Sequence, residues 1–136
     1  MVNETLRHVY VDVSALVKLI VAEPESGALR LFLSSGPTLV SSRIAAVEVR
    51  RVVSRQDELD TDEQVQSLLD GVLFVEFDPK IAQAAAAVQP PSLRSLDAIH
   101  LASALSLADE VATVITYDHR LADAVRAAGL TVAAPT

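Results

Sequence analysis

The sequence predicts an α/β fold in which helices cover both faces of a central parallel sheet. Two observations predict it. Short stretches rich in β-branched residues alternate along the 136-residue chain with longer stretches of helical character. Gly36, Gly71 and Gly129 each stand between a predicted helix and the following strand, where a left-handed helix cap is common. Strands that alternate with helices pair in parallel, because each helix returns the chain to the edge of the sheet where the previous strand began.

The elements follow in order. Five short stretches rich in valine, isoleucine or aromatic residues are the predicted strands: 8–11, 38–42, 72–77, 111–116 and 130–133. Seven longer stretches are the predicted helices: 14–22, 23–35, 43–55, 61–70, 79–88, 94–105 and 118–128. Pro24 suits a first helical position, and Thr61 with Gln64 forms a capping-box pattern. Ligands in such folds bind at the carboxyl ends of the strands, so residues that end strands and open helices are the candidates for function.

Composition bounds the class of protein. Hydrophobic residues make up 51% of the chain and charged residues 21%, so we expect one globular domain over 1–136, with 1–7 as a loosely ordered tail. The sequence has no apolar run of the roughly 18 residues that a membrane helix needs, and its first residues do not form a signal peptide. Cysteine is absent, which excludes thiolate metal sites and fits a cytoplasmic location. The net charge of −7 disfavours nucleic-acid binding by bulk attraction and suits a basic partner.

Asp97 is the residue that most needs an explanation. It lies in the first turn of the apolar helix 94–105, with Leu101, Ala104 and Leu105 on its side of the helical wheel. A first-turn aspartate gains about 0.3–1 kcal/mol from the helix dipole. That gain is smaller than the desolvation penalty of a buried charge, which is several kcal/mol. The Asp97 carboxylate therefore needs a counter-charge.

Two other aspartates follow strands. Asp12 ends the first strand, and Asp118 follows the fourth strand and opens the last helix. The ordinary interpretation makes Asp12 a turn residue with Ser14 as the helix N-cap, and makes Asp118 an N-cap. Both nevertheless fall at the edge of the sheet where ligands bind. Thr116, two residues before Asp118, could orient a neighbouring carboxylate or a water molecule.

Glu48 borders the apolar face of its helix, because Ile44 and Val52 lie one turn away. The alternative is an ion pair within the helix to Arg51 or Arg55, an interaction worth about 0.2–0.5 kcal/mol. The spacing alone leaves both interpretations open.

The four acids predict a metal site if they converge. Two carboxylates about 4 Å apart repel by roughly 4 kcal/mol at an effective dielectric constant of 20, so a cluster must take up protons or a cation. Ligands that are all oxygen suit Mg²⁺ or Mn²⁺. The histidines His8, His100 and His119 have no zinc spacing, and His100 is interpreted as an ordinary helix residue.

Four stretches in order resemble the motifs of PIN-domain ribonucleases, and in particular those of the VapC-type toxins of bacterial VapBC toxin–antitoxin pairs. The stretches are "VYVDVSALVKL" with Asp12 and Ser14, "SSRIAAVEVRRVVSR" with Glu48, "LRSLDAIHLASAL" with Asp97, and "VITYDHRLADAVRAAGL" with Thr116 and Asp118. The resemblance spans nearly the whole chain and keeps every acidic position.

The resemblance implies an α/β/α sandwich and a Mg²⁺- or Mn²⁺-dependent endoribonuclease that cuts structured RNA, such as transfer or ribosomal RNA, and so inhibits translation. It implies that the four acids bind the metal ion and act in catalysis, with Ser14 and Thr116 in support. It also implies a homodimer and a VapB-like antitoxin whose carboxy-terminal segment enters the acidic pocket. The candidates for contacts with the RNA backbone are Arg43, Arg50, Arg51, Arg55, Arg94 and Arg120.

The sequence is also compatible with two other functions. A phosphatase similar to haloacid dehalogenases would use Asp12 as a nucleophile, but that pattern wants a second acid where Ser14 stands. A phospho-aspartate trapped on Asp12 would support it. A catalytically silent PIN-like module, kept to bind a partner or RNA, would take up no Mn²⁺.

Overall fold

The computed structural model describes residues 7–56, 61–111 and 113–136. Within these ranges, five strands form one sheet: β1 (His8–Val11), β2 (Thr38–Ser42), β3 (Val72–Val75), β4 (Thr113–Ile115) and β5 (Thr131–Ala133). Every neighbouring pair is parallel, and the order across the sheet is β3-β2-β1-β4-β5. The predicted parallel α/β fold is confirmed. The prediction of a loosely ordered tail over 1–7 lies outside the described residues, except at Arg7.

Seven helices lie in the same part of the chain: α1 (Val13–Lys18), α2 (Ser26–Phe32), α3 (Ile44–Ser54), α4 (Asp62–Asp70), α5 (Pro79–Ala87), α6 (Ser95–Ser106) and α7 (His119–Ala127). The first helix ends four residues before the predicted 22. Its end has a clear cause, because the Ser26 hydroxyl donates a hydrogen bond to the Lys18 carbonyl at 2.7 Å and replaces the next helical N–H. No helix of the described ranges combines the length and the apolar character needed to cross a membrane.

Strand β1 separates two cores, because successive side chains of a strand point to opposite faces. Val9 and Val11 pack into a core built with residues of α1, α3 and α4. Tyr10 packs into a second core with Leu101 of α6 and Leu121 of α7. The helices therefore form a layer on each face of the sheet, and the architecture is the predicted three-layer sandwich.

The order of the strands changes direction at the centre of the sheet. The chain passes from β1 through β2 to β3 on one side, and then places β4 and β5 on the other side of β1. The carboxyl ends of the two strands at such a point form a crevice, because the helices that follow them lie on opposite faces. Asp12 follows β1, and Thr116 follows β4. The fold therefore brings these two residues to the crevice from distant parts of the chain.

Two of the three glycines adopt the predicted left-handed conformation, with φ of 77° at Gly36 and 94° at Gly129. The prediction for Gly71 was wrong, because its φ of −89° and ψ of 0° lie in the right-handed helical region. The predicted capping box at Thr61 was also wrong. Thr61 has the near-helical dihedral angles φ −89° and ψ −9°, and its side chain makes no capping hydrogen bond.

We expect Gly129→Ala to lower the free energy of unfolding by about 1–2 kcal/mol, because an L-residue is strained in the left-handed region. Gly71→Ala is the matched control. Its Cβ would meet the Leu68 carbonyl oxygen at an ordinary 3.5 Å, so we expect it to be neutral or to stabilise by up to about 1 kcal/mol. Urea unfolding measures both changes, and equal destabilisation by the two substitutions would contradict the assigned backbone conformations.

Candidate active site

Asp12 is the buried centre of the candidate site. Its Oδ1 accepts hydrogen bonds from the Ser14 hydroxyl at 2.6 Å and from the Ala15 N–H at 3.1 Å, and its Oδ2 accepts from the Thr116 hydroxyl at 2.6 Å. The residue is 3% exposed. Burial raises the pKa of the Asp12 carboxyl, and the Ser14 and Thr116 hydroxyls oppose that rise. Asp12 is itself the N-cap of α1, so the interpretation of Ser14 as the cap was wrong.

Asp97 lies within electrostatic reach of the other three acids. It is half-buried in the first turn of α6. Burial raises the pKa of its carboxyl, and the negative charges of Asp118, Asp12 and Glu48 raise it further, while His100 opposes the rise. The charges of the three other acids that the sequence singled out therefore reach Asp97.

Glu48 is bound by a histidine and not by an arginine. Its Oε1 lies 2.8 Å from Nε2 of His100, and its side chain is 17% exposed. Among the ion pairs of the described residues, none joins Glu48 to Arg51 or Arg55, so the alternative of a pair within the helix was wrong. The bond to His100 links α3 on one face of the sheet to α6 on the other.

Asp118 follows β4 and caps α7. Its Oδ1 accepts hydrogen bonds from the backbone N–H groups of Arg120 at 2.9 Å and of Leu121 at 3.3 Å. Its own N–H donates to Oγ1 of Thr116 at 3.1 Å. The same Thr116 hydroxyl donates to Asp12. Thr116 therefore connects the two strand-end aspartates and fixes their separation.

Tyr117, between these two residues, anchors the loop 116–118. Its N–H donates to Oγ of Ser14 at 2.9 Å, and its hydroxyl donates to the Pro135 carbonyl at 2.8 Å. The Lys18 ammonium lies 4.6 Å from the centre of its ring, which is cation–π geometry. These contacts on three sides hold the loop against α1 and the carboxy-terminal residues.

The donors suit a hard divalent cation by their chemistry, although they do not enclose one as they stand. Within the described ranges, no three His, Asp or Glu side chains are close enough together to hold a metal ion. Hydrogen bonds hold Asp12, Glu48 and Asp118 to neighbouring groups. The four acids offer carboxylate oxygens alone, and a cation would relieve the repulsion that raises the pKa of Asp97.

An open cleft of about 400 Å³ gives access to this cluster. Its lining residues are Arg94, Asp97, Tyr117, Asp118, His119 and Arg120. A second hollow of about 370 Å³ lies between α5 and α6, and the residues that line it, such as Phe77 and Ile99, carry no titratable group. Of these two hollows, only the first therefore has titratable side chains in its lining.

The arginines that are predicted to contact RNA lie in different parts of the structure. Arg94 and Arg120 line the acidic cleft. Arg43 is bound by Glu76, with Nη2 at 2.7 Å from Oε2. Arg51 is exposed on α3 and is absent from the cleft lining. Of the six candidates, Arg94 and Arg120 therefore line the cleft beside Asp97 and Asp118.

His100 is the residue whose role the sequence did not reveal. It is 1% exposed, and its ring nitrogens contact the Tyr10 hydroxyl at 2.7 Å and Glu48 at 2.8 Å. Burial raises the pKa of the Tyr10 phenol, which therefore keeps its proton. The interpretation of His100 as an ordinary helix residue was incomplete. One signal was present: residues three apart on a helix share a face, and His100 is three residues after Asp97.

Comparison with known proteins first defines the class. Residues 9–127 match the family model described as PIN domain. The match covers most of the chain, so the chain belongs to the PIN-domain family. Ribonuclease VapC47 of Mycobacterium tuberculosis (strain CDC 1551 / Oshkosh) is 38% identical over 131 residues, which cover 93% of this chain and 96% of that protein. The resemblance to VapC-type PIN-domain ribonucleases is thereby confirmed.

Solved structures agree on the fold. The Mycobacterium tuberculosis toxin VapC20, described as cleaving the sarcin-ricin loop, superposes with a TM-score of 0.73 at 15% identity, covering 93% of this chain and 99% of that one. A toxin–antitoxin complex from Klebsiella pneumoniae superposes with a TM-score of 0.70 at 21% identity, covering 94% and 98%. These similarities confirm the α/β/α sandwich.

Proposed function

We propose that the chain is a metal-dependent endoribonuclease and the toxin of a toxin–antitoxin pair. One observation carries the proposal: Asp97 and Asp118 line a cleft together with Arg94 and Arg120, and Thr116 connects Asp118 to the buried Asp12 by hydrogen bonds. The relative VapC47, which is named a ribonuclease and covers nearly the same length, supports it.

Asp12, Glu48 and Asp97 would hold Mg²⁺ or Mn²⁺ directly or through water, and Asp118 would complete the site. When bound, such an ion lowers the pKa of a water molecule and balances negative charge on a phosphate. The hydroxyls of Ser14 and Thr116 orient Asp12 for this task through the two short hydrogen bonds they donate to it.

The arginines of the cleft support a nucleic-acid substrate. Arg94 and Arg120 line the cleft together with Asp97 and Asp118 and would contact backbone phosphates there, and phosphate contacts position a nucleic acid without selecting its sequence. Attack of water on phosphorus in line with the leaving group forms one P–O bond and breaks the bond to O3′. The products are a 5′-phosphate and a 3′-hydroxyl. We propose structured RNA, transfer or ribosomal, as the target, so that translation stops.

Metal removal tests this function. We expect the purified chain to cleave RNA in Mg²⁺ or Mn²⁺, to lose cleavage in EDTA and to regain it when metal is added back, because carboxylates alone cannot balance the phosphate charge. Sequencing of RNA ends, in the test tube and after brief induction in cells, shows whether 5′-phosphates form and where. Cleavage that persists in EDTA would contradict metal dependence.

The proposed protein partner is an antitoxin. The net charge of −7 favours a basic segment, and a basic side chain of that segment would bind the Asp97 and Asp118 carboxylates in the cleft. The Klebsiella pneumoniae structure, a toxin–antitoxin complex, supports a partner of this kind. A homodimer stays a prediction of the family resemblance, and a cytoplasmic location stays a prediction of the cysteine-free composition.

A phosphatase with Asp12 as nucleophile lacks the second acid of that pattern, because Ser14 stands in its place and donates a hydrogen bond to Asp12. A phospho-aspartate trapped on Asp12 would support the phosphatase. A catalytically silent binding module is distinguished by Mn²⁺ titration, in which it would show no uptake.

A further inference from the structure

A buried chain of hydrogen bonds runs from the core beneath the sheet to Glu48. The Tyr10 hydroxyl lies 2.7 Å from Nδ1 of His100, and Nε2 of His100 lies 2.8 Å from Oε1 of Glu48. Tyr10 is 0% exposed and His100 is 1% exposed. The rings of Tyr10 and His100 meet edge to face, with centroids 5.7 Å apart and planes at 81°. Both rings are thus fixed by packing as well as by hydrogen bonds.

The chemistry of the three groups fixes the direction of these bonds. An ionised carboxylate only accepts hydrogen bonds, so Nε2 of His100 donates to Glu48. In a neutral imidazole Nδ1 then accepts, and the Tyr10 hydroxyl donates to it. The Glu48 carboxylate thus determines which nitrogen of a neutral ring carries the proton, and the Tyr10 hydroxyl holds the other nitrogen in place.

The position of His100 links it to the whole acidic cluster. It lies one turn after Asp97 on α6, and it is near enough to both Asp97 and Asp12 to favour their ionised forms. Glu48 comes from α3, on the opposite face of the sheet, and its long side chain has several rotatable bonds to restrain. The bond to His100 restrains them.

We propose that His100 is a positioning residue, which fixes the Glu48 carboxylate at the cluster through Nε2–H while Tyr10 fixes the His100 ring. The inference rests on the proposed function, because it assigns a purpose to Glu48 as a metal ligand. Groups that hold a metal ligand orient it and adjust its basicity, and their loss lowers metal affinity or activity by roughly 10–100-fold.

The experiment measures Mn²⁺ binding to the full chain without RNA, by electron paramagnetic resonance, and RNA cleavage in parallel. We expect His100→Leu to weaken Mn²⁺ binding and lower kcat by about 10–100-fold. His100→Gln keeps an N–H donor and should recover most of the loss. Tyr10→Phe keeps the packing and removes the hydroxyl, so it should give an intermediate loss even if His100→Leu does not fold. Leu101→Val, the neighbouring buried residue on α6, is the control for altered packing and should bind Mn²⁺ normally.

A double-mutant cycle separates positioning from structural support. If His100 acts through Glu48, substitutions at His100 or Tyr10 should have no further effect on Mn²⁺ affinity in a Glu48→Ala background. Equal losses with and without Glu48 would overturn the inference, and so would normal Mn²⁺ binding by folded His100→Leu. In both cases the proposed function stands, since unsubstituted protein still binds Mn²⁺ and cuts RNA. Absence of binding and cleavage in the unsubstituted protein would instead overturn the proposed function and this inference with it.

Discussion

Replacing Asp97 by asparagine is expected to abolish RNA cleavage and to leave the metal-free protein as stable as before or more stable. Asparagine keeps the shape of the side chain but cannot supply a charged ligand, so the loss should exceed the roughly 10–100-fold that follows when a ligand loses a supporting group. Burial and the charges of Asp118, Asp12 and Glu48 raise the pKa of Asp97, so its ionised form is less favoured in the folded protein than in the unfolded chain. Neutral asparagine removes that repulsion.

Asp97→Asn also loses a small amount of stability. Loss of a first-turn negative charge on α6 forfeits about 0.3–1 kcal/mol of helix-dipole interaction, which limits any gain. Urea unfolding in EDTA measures the stability, and cleavage of RNA in Mg²⁺ measures the activity. Asp123→Asn is the matched control, because Asp123 is 82% exposed on α7 and its nearest ion-pair partner lies 3.7 Å away. Retained cleavage by Asp97→Asn with added Mg²⁺ would contradict its assignment as a ligand.

The fold was predictable because the structure that each short stretch favours agrees with the alternation of strands and helices along the whole chain. Each strand is a short run of β-branched or aromatic residues, and each crossover contains a helix, which together require a parallel sheet. Where the prediction was wrong, a tertiary contact decided the outcome. The Ser26 hydroxyl, eight residues further along the chain, donates a hydrogen bond to the Lys18 carbonyl where α1 ends. The spacing of apolar residues does not predict such a bond. Gly71 shows the converse case, since a glycine is permitted but not required at a helix end.

The acids of the site were predictable one by one, and their interactions were not. Asp97 was identifiable because a carboxylate on an apolar helix face is unfavourable without compensation. Which groups compensate Asp12 depends on Thr116, which is 104 residues away and reaches it only because β1 and β4 are neighbours. The bond between Glu48 and His100 depends in the same way on two helices on opposite faces of the sheet. Patterns in a single sequence predict which residues are neighbours within one helix or strand. They do not predict contacts between side chains from different layers of the fold.

Expression of the intact chain without a partner is expected to arrest bacterial growth, whereas expression of Asp12→Ala should be harmless. The physical reason is that Asp12 would serve the proposed site twice, as a metal ligand and as the acceptor that orders Ser14 and Thr116 at the crevice between β1 and β4. Growth curves and the rate of protein synthesis after induction measure the effect. Equal arrest by the two forms would show that the arrest does not come from catalysis.

Asp12→Ala also removes the cap of α1 and leaves buried donors unpaired, and each unpaired donor costs about 1–3 kcal/mol of stability. Cells would also tolerate this variant if it simply did not fold. Asp97→Asn resolves this ambiguity, because it removes a ligand without leaving a buried donor unpaired. If catalysis causes the arrest, Asp97→Asn should be as harmless as Asp12→Ala while it accumulates in folded form, and Asp123→Asn should arrest growth like the intact chain. If folded Asp97→Asn still arrests growth, the toxicity does not depend on the acidic cluster or on RNA cleavage at this site.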